Sequence, residues 1–355
     1  VEVTFNNGEK TEIPGTKTEE KSGSSWATGV GIDGVIGNDK VEIDNNGDAR
    51  VGVGTNGDVT VHNNGNVCGN IRHGVGKKVE FGNNGTQCNG YKVTEGNVTL
   101  PPVSSFIPSD IATNNSNFRL VKCTKTSPVK EPKGCQSDTY SVNNKKEPWT
   151  TTVPWNASTR TISTENNATL TLGGGDYFVC KLTLANNSHL IMAAGATVRV
   201  FFDTPENCKM SNGATQIEIS NNADITSTGY QPSLKQFNMP GFYLLGSTKI
   251  STKVEFSNNT GTNEFVLYAP NTEINLSNNA VYVGIIAGKT VHLSNNAIVK
   301  QDSGFILPTE LNPWKETTTT GTTGEPAATA QYYSPQSYVE CSGVATAGLA
   351  PNADC

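Results

Sequence analysis

A pair of adjacent asparagines recurs through this 355-residue chain and constrains the fold more than any other feature. In most copies the pair stands between two short stretches in which apolar and polar residues alternate, as in Ile217-Glu-Ile-Ser-Asn-Asn-Ala-Asp-Ile225. Alternation with period two is the pattern of a strand with one buried face. Asparagine favours turns because it tolerates left-handed backbone angles. The sequence therefore predicts short strands joined by asparagine corners.

The spacing of the pairs predicts a solenoid. Pairs in the central region begin at residues 166, 186, 221, 258, 278 and 295, and a looser Asn-Asn-Gly version begins at 45, 63 and 83. Most separations are about 20 residues or nearly twice that, enough for three short strands and three corners at ~3.3 Å per residue. Coils stacked ~4.8 Å apart pair each strand in parallel with its equivalents above and below. We therefore expect an all-β fold, a parallel β-helix, and specifically a right-handed β-solenoid, because parallel crossovers are right-handed.

Stacked asparagines at one corner are expected to form a structural ladder, in which each side-chain amide hydrogen-bonds the next along the solenoid. The small residue that follows most pairs, Ala or Ser, suits a crowded turn. The predicted ladder consists of Asn166, Asn167, Asn186, Asn187, Asn221, Asn222, Asn258, Asn259, Asn278, Asn279, Asn295 and Asn296.

The repeat divides the chain into four predicted regions. These are N-terminal solenoid coils with Asn-Asn-Gly repeats (1–100), an irregular insertion with a disulfide loop (101–152), the main β-solenoid with Ser-Asn-Asn-Ala repeats (153–306), and a Thr-rich linker with a C-terminal tail (307–355). Residues 203–213 and 229–247 are predicted to be loop insertions between coils. The second contains Phe242 and Tyr243 and is interpreted as a lid packed on the flank of the solenoid.

Eight cysteines indicate an oxidising, extracytoplasmic compartment. Pairing neighbours along the chain predicts four disulfides, and the last of them ties the C-terminal tail. Eight cysteines permit 105 connectivities, so this pairing expresses a preference for local closure. The predicted disulfides are Cys68–Cys88, Cys123–Cys135, Cys180–Cys208 and Cys341–Cys355.

Composition excludes several classes of function. The net charge of -6 gives no basic excess, so we expect no nucleic-acid partner. No apolar stretch approaches the ~20 residues of a membrane-spanning helix. The sequence begins with Val1 and not with a methionine, so we expect any signal peptide or membrane anchor to precede it. We therefore expect contact with a membrane only through such a preceding segment.

A carbohydrate-active enzyme is the main alternative, because parallel β-helices host polysaccharide lyases and hydrolases. Glycoside hydrolysis requires two carboxylates about 5–9.5 Å apart. The acidic residues of the repeat fall at scattered positions, from which we expect no convergence on neighbouring coils; they are Glu165, Glu218, Asp224, Glu255 and Glu273. The histidines near asparagine pairs, at 62, 189 and 292, are expected to face solvent. We therefore predict no catalytic residue.

No cofactor or metal is predicted either. The cysteines and histidines lack the spacing of a metal site. The segments Asp44-Asn-Asn-Gly-Asp48 and Gly173-Gly-Gly-Asp176 resemble calcium-binding turns, but the first also matches the ordinary turn of the repeat.

The region from about residue 153 to 306 resembles a domain of bacterial envelope proteins described as PilX-like and associated with pilus assembly. The resemblance lies in the stacked Leu-Ser-Asn-Asn-Ala units, in the Tyr268-Ala-Pro-Asn271 turn, and in the Tyr338-Val-Glu-Cys-Ser342 end. It implies a surface-exposed, pilus-related or adhesive role without catalytic residues. Such proteins usually begin with a hydrophobic pilin-type helix, which is not present from Val1 onward.

Together these features predict an extracellular or cell-surface protein with a structural or adhesive role, such as a minor pilin-like component. Its expected partners are other pilus or envelope proteins, a surface glycan or a host ligand. A cleft with two carboxylates within ~10 Å would instead favour the alternative, a polysaccharide lyase or hydrolase.

Overall fold

The computed structural model describes residues 2–4, 10–12, 34–120, 139–142, 154–227, 240–257 and 259–301. Within these ranges the chain is nearly all β, with two short 3-10 helices at Val103–Ser105 and Ser116–Leu120. The chain divides into two compact units, Val1–Lys315 and Glu316–Cys355, and the second lies outside the described residues.

The strands are short and follow one another closely. In chain order they are β1 (Glu2–Thr4), β2 (Lys10–Glu12), β3 (Val35–Ile43), β4 (Asp48–Ala49), β5 (Val53–Thr55), β6 (Asp58–Val61), β7 (Asn66–Val67), β8 (Ile71–His73), β9 (Val79–Phe81), β10 (Thr86–Gln87), β11 (Val93–Glu95), β12 (Thr139–Val142), β13 (Trp155–Asn156) and β14 (Thr161–Ser163). They continue as β15 (Ala168–Leu172), β16 (Gly175–Val179), β17 (Lys181–Leu184), β18 (His189–Met192), β19 (Val198–Phe202), β20 (Ala214–Ile219), β21 (Asp224–Ser227), β22 (Gly241–Leu244), β23 (Thr252–Phe256), β24 (Thr262–Ala269), β25 (Glu273–Leu276), β26 (Val281–Leu293) and β27 (Ile298–Lys300). Strands β1 and β2 pair antiparallel in a separate two-stranded sheet.

The remaining strands, apart from β12 and β13, stack in three parallel files, which form the three sides of nine coils. File one contains β14, β17, β20, β23, β25, the end of β26, the end of β3, β6 and β9. File two contains β15, β18, β21, the start of β24, the start of β26, β27, β4, β7 and β10. File three contains β16, β19, β22, the end of β24, the middle of β26, the start of β3, β5, β8 and β11. The predicted parallel β-solenoid is confirmed.

The asparagine pairs lie over one another at the corner between file one and file two. The backbone N–H of Asn187 donates to the carbonyl of Asn221 at 2.8 Å, and that of Asn279 donates to the carbonyl of Asn295 at 2.9 Å. Asn258 lies outside the described residues. The corners therefore repeat at the same place in each coil, as the spacing predicts.

The order of the coils in space differs from their order in the chain. The solenoid begins with coil 1 (residues 161–179) and continues to coil 6, to which the C-terminal segment contributes residues 291–300. There the N-terminal strand β3 pairs in parallel with β26. The amide of Ile286 donates to the carbonyl of Gly34 at 2.8 Å, and the amide of Asp44 donates to that of Leu293 at 2.9 Å. We call this junction the seam. Coil 6 is composite, because residues 35–37 supply its third strand. The N-terminal coils 7 (residues 40–55), 8 (residues 58–73) and 9 (residues 79–95) extend the same solenoid.

One apolar core runs through the coils and across the seam. Its central part is aromatic: the ring centroids of Phe242 and Phe265 are 4.6 Å apart, and those of Phe265 and Tyr282 are 5.0 Å apart. Beyond the seam the core consists of smaller residues such as Val59 and Val61. Each interior coil buries its inward side chains against the coils on both sides, so its stability depends on those neighbours.

Residues 97–120, which we call the strap, return the chain from coil 9 to coil 1 along the outer face of file three. A row of outward side chains lies under the strap and forms a second core with Val98, Val103 and Ile111. The amide of Val98 donates to Asn56 Oδ1 at 2.7 Å near one end. The buried row consists of Phe178, Phe201, Tyr243, Tyr268, Ala287 and Ile36.

The structure corrects the predicted insertion at 229–247. Phe242 and Tyr243 belong to β22, the third strand of coil 3, where Phe242 points into the solenoid core and Tyr243 lies under the strap. The sequence signal failed here because β22 carries apolar side chains on both faces, so it lacks the alternation of the other strands. The segment 203–213 is a loop between β19 and β20, as predicted.

Two of the predicted disulfides are present. Cys68–Cys88 joins coils 8 and 9, with Cα atoms 4.8 Å apart, and Cys180–Cys208 ties the loop at 203–213 to the solenoid, with Cα atoms 5.5 Å apart. The other two predicted pairs, Cys123–Cys135 and Cys341–Cys355, lie outside the described residues, as does the predicted region 307–355.

Candidate functional site: an asparagine groove

Eight asparagine side chains line a shallow groove of about 610 Å³ at the corner between file one and file two. We call it the asparagine groove. It extends over coils 6 to 9 and crosses the seam, so its lining comes from two segments that are distant in sequence. The lining residues are Asn295, Asn296, Asn45, Asn46, Asn63, Asn64, Asn83 and Asn84.

The backbone of these corners explains their residue types. Both asparagines of each groove pair have positive φ angles, between 45° and 64°. Asparagine tolerates this left-handed region better than most residues with a side chain. The glycine that follows the N-terminal pairs is required by close packing: a Cβ on Gly47 would lie 2.5 Å from the carbonyl oxygen of Leu293, and one on Gly65 would lie 2.4 Å from that of Ile43. The Asn-Asn-Gly motif thus fits a corner pressed against the coil before it.

Side-chain hydrogen bonds join asparagine amides of several neighbouring coils. In the groove, Asn83 Nδ2 donates to Asn63 Oδ1 at 3.0 Å and Asn84 Nδ2 donates to Asn64 Oδ1 at 3.2 Å. An amide has two N–H donors and two acceptor lone pairs, and a ladder position uses one of each. Each groove amide therefore keeps at least one donor and one acceptor for another molecule, and these groups repeat at the coil spacing of ~4.8 Å.

The same ladder continues outside the groove. Asn187 Nδ2 donates to Asn167 Oδ1 at 3.2 Å, and Asn222 Nδ2 donates to Asn187 Oδ1 at 3.0 Å. Asn279 and Asn296 donate in the same way to Asn259 at 2.6 Å and to Asn279 at 3.0 Å. The predicted ladder did not include the six N-terminal groove asparagines. Their repeat spacing was visible in the sequence, but their position next to residues 295 and 296 depends on the seam.

Charged and polar side chains flank the groove. On the file-one side, Lys78 Nζ lies 3.0 Å from Glu80 Oε2, and this hydrogen bond lowers the pKa of Glu80 and raises the pKa of Lys78. On the file-two side, Asn66 Nδ2 donates to Asp48 Oδ1 at 3.2 Å, and the hydroxyl of Thr86 donates to Asn66 Oδ1 at 3.1 Å. The corner is therefore polar on both sides, with carboxylates held by neighbouring donors.

The expectation that the acidic residues do not converge is wrong for three of them. Glu218 and Glu255 are register partners on β20 and β23, and Glu273 lies on the next strand of file one opposite Lys253. Lys253 Nζ lies 2.6 Å from Glu255, and this hydrogen bond raises the pKa of Lys253. Lys181 lies 3.7 Å from Glu218. The acidic cluster therefore forms a charge-paired patch on the outer face of a sheet.

The other acidic residues are separate from this patch. Asp224 lies 2.8 Å from Nδ1 of His189 on the outer face of file two, and Glu165 stands exposed beside an asparagine corner. His62 Nε2 lies 3.7 Å from Glu80, and each of the three corner histidines is partly exposed. The contacts of Asp224 and of the three corner histidines are therefore made with neighbouring side chains on the outer faces of the sheets.

The candidate calcium turns are engaged in other contacts. Asp44 Oδ1 lies 3.2 Å from His292 Nε2, and Asp48 accepts a hydrogen bond from Arg50 Nε at 2.6 Å. Asp176 accepts one from Arg199 Nε at 2.7 Å. In the part of the chain that the structure describes, no group of three or more His, Cys, Asp or Glu residues is placed to hold a metal ion.

Comparison of the chain with family models, with curated proteins and with solved structures gave no match. The envelope-protein resemblance therefore rests on the sequence motifs alone. Among the described residues, no helix has both the length and the apolar character needed to cross a membrane. The geometry of the groove and of the solenoid is the basis for assigning a function.

Proposed function

We propose that this protein is an extracytoplasmic structural or adhesive surface module, a minor pilin-like or pilus-associated component, and that its asparagine groove binds an extended surface glycan. The disulfides Cys68–Cys88 and Cys180–Cys208 support an oxidising compartment, because such bonds rarely persist in the cytosol. Backbone hydrogen bonds between parallel strands join each coil to the next, and this continuous pairing supports a structural role.

The groove is the observation that carries the glycan proposal. Its amides offer donors and acceptors together, which matches sugar hydroxyls, since a hydroxyl also donates and accepts. The rung spacing of ~4.8 Å suits a ligand that is itself extended and periodic. The openness of the groove at the surface allows a long chain to lie along the corner, whereas a small ligand would need an enclosing pocket.

Glycan binding is tested with the purified full chain. The assay measures cosedimentation with insoluble cellulose and chitin and binding to an array of bacterial and host glycans. The variant combines Asn46→Gly with Asn64→Gly, because glycine accepts the positive φ angles while removing two groove amides. We expect wild-type binding and at least about 10-fold weaker binding by the variant, as for the loss of several hydrogen bonds.

The matched control combines Asn187→Gly with Asn222→Gly, which removes two exposed amides of the same ladder outside the groove. This control is expected to bind as the wild type does. The glycan proposal is wrong if the wild type binds none of these glycans, or if both double variants bind equally.

The acidic patch gives the enzyme alternative a specific test. Glu218 and Glu255 are register partners on neighbouring strands, and a strand spacing of ~4.8 Å is close to the separation of about 5 Å at the lower end of the range for a carboxylate pair. The same polysaccharides are incubated with wild-type protein and with Glu255→Gln, and soluble reducing ends are measured. Release by the wild type but not by Glu255→Gln would replace the adhesive function with a hydrolytic one.

A further inference from the structure

The two ends of the solenoid differ in how their strand edges are covered. At coil 1, β13 pairs antiparallel with β14 and β12 pairs antiparallel with β15. The third edge, β16, is covered by the side chain of Asn117, whose amide accepts from the N–H of Phe178 at 3.0 Å and donates to its carbonyl at 2.6 Å. All three strand edges at this end are therefore occupied.

In the part of the chain that the structure describes, no strand lies on the outer side of coil 9. Among the described residues, β9, β10 and β11 pair only with β6, β7 and β8 on their inner side. The inward positions are consequently uncovered: Phe81 is 42% exposed and Val93 is 44% exposed, whereas Val61 and Ile71, which occupy the same positions in coil 8, are 0% exposed. Unpaired strand edges with exposed apolar side chains are sites where another chain adds.

The shape of this end restricts what covers it. The open coil presents three strand edges around a three-sided outline, and Cys68–Cys88 fixes coil 9 to coil 8. A single strand or a hairpin pairs with one edge and leaves two open. A partner that pairs with all three has a coil of the same outline and the same strand spacing.

We propose that the occupant is the coil 9 end of a second copy of this chain, related by a two-fold axis. The covered edges of coil 1 oppose head-to-tail stacking, so two open ends facing each other give a closed dimer in which β9, β10 and β11 find antiparallel partners. The exposed rim carries both signs of charge, with Lys78 and Lys92 beside Glu80 and Glu95, and so allows opposite charges to face each other across the axis. This proposal is independent of glycan binding.

The test measures the molar mass of the full chain by sedimentation and light scattering over a range of concentrations. We expect twice the chain mass of 37.7 kDa for the wild type. The variant Phe81→Lys with Val93→Lys places charges at the interface, and its dimer dissociation constant should rise at least about 30-fold, as for the loss of an interface hot spot. Phe118→Lys, on a side chain 57% exposed near the closed end, is the control and should leave the dimer intact.

Three results would overturn the proposal. One is a wild-type mass of 37.7 kDa at every concentration. Another is a dimer that survives the double lysine variant, and a third is a mass that grows without limit. If the wild type is monomeric and a chain lacking residues 1–33 is dimeric, the chain's own N-terminal segment is the occupant.

A second measurement does not depend on the folding of a variant. Backbone amides of β9 and β11 in the wild type should exchange with deuterium more slowly as protein concentration rises, because dimerisation pairs their free edges. Amides of β14 at the closed end should show no such dependence. Equal behaviour of the two ends would also overturn the proposal.

Discussion

At the scale of single residues, asparagine has two separate functions in this fold. At the corners its tolerance of positive φ turns the chain, and its amide continues the ladder. Asn263 has a different environment, because it is fully buried where file two is interrupted between β21 and β24. Its side chain accepts from the N–H of Ile225 at 3.1 Å and donates to the carbonyl of Gly261 at 2.8 Å. One buried amide thus replaces missing strand pairing.

Replacing Asn263 with alanine should lower the free energy of unfolding by about 3 kcal/mol, because buried backbone groups lose their partners. Chemical denaturation measures the change. Asn275→Ala, which removes an amide bonded to Glu273 on the exposed face, is the matched control and should change stability by less than about 0.5 kcal/mol. Equal effects of the two substitutions would show that Asn263 does not bridge the interruption.

Two buried tyrosines predict sensitivity to alkaline pH. Burial raises the pKa of Tyr268 and of Tyr282 above the ordinary value of about 10. The folded state therefore holds these protons more tightly than the unfolded state, and their contribution to stability is present below pH 10 and is lost as pH rises above it. Urea unfolding at a series of pH values should show this decline. In Tyr282→Phe the decline should be shallower, and an unchanged slope would contradict the assignment.

At the scale of elements, the strap explains the aromatic outer face of file three. The rings of Phe201 and Tyr243 stack with centroids 5.2 Å apart, and Phe106 contacts Tyr243 and Tyr268 edge-on at 5.1 and 5.5 Å. The hydroxyl of Tyr268 donates to the carbonyl of Pro101. An outward face that would normally be polar is apolar here because a second layer covers it. The strap is therefore part of the folded unit although it contains no strand.

Phe106→Ala should loosen the strap without unfolding the coils. The loss of its edge-on ring contacts and of part of its buried area should destabilise the strap by about 2 kcal/mol. Hydrogen exchange measures this locally, as roughly 30-fold faster exchange of strap amides. Phe118→Ala, on the same strap but 57% exposed, is the control. Faster exchange throughout the coils would show instead that the strap and the solenoid unfold together.

At the scale of the whole molecule, the seam makes one solenoid from two chain segments. Ile298 and Val299 lie in register with Asp48 and Ala49, and Val35 lies in register with Val53. Coil 6 therefore has the same outline as coil 7. The difference is that no peptide bond connects Gln301 to Gly34 in coil 6, because these residues belong to different segments of the chain. In coil 7 the residues Arg50, Val51 and Gly52 make the equivalent connection.

This correspondence predicts that a circularly permuted chain folds into the same solenoid. A chain in which residues 121–301 are followed directly by residues 34–120 keeps β12 and has the connection Lys300-Gln301-Gly34-Val35, which matches the length of Arg50-Val51-Gly52-Val53. It should fold into the same solenoid and unfold in one transition, with a midpoint within about 5 °C of the parent unit. Circular dichroism and calorimetry measure this.

The control for the permutant expresses the same two segments as separate chains, which should associate more weakly because their junction is no longer intramolecular. Two independent unfolding transitions in the permutant would contradict the seam, as would fast exchange of the Asp44 and Ile286 amides that cross it.

Much of this architecture could be predicted from local sequence. The alternation around Ile217 and Val291 sets which side chains face the core, since successive residues of a strand point to opposite sides. The asparagine pairs set the corners through their backbone preference, and the short separations of Cys68–Cys88 and Cys180–Cys208 agree with the observed disulfides. These features depend on residues close together in the chain.

The stacking order, the groove that crosses the seam and the open end were decided only by the tertiary structure. The physical reason is that neighbouring coils are joined by backbone hydrogen bonds and by apolar contacts, which are nearly the same for every pair of coils. The residues of β26 do not by themselves select β3 as the neighbouring strand over another strand of similar length and alternation. The sequence by itself therefore determined what a coil is, and packing of the complete chain decided which coil lies beside which.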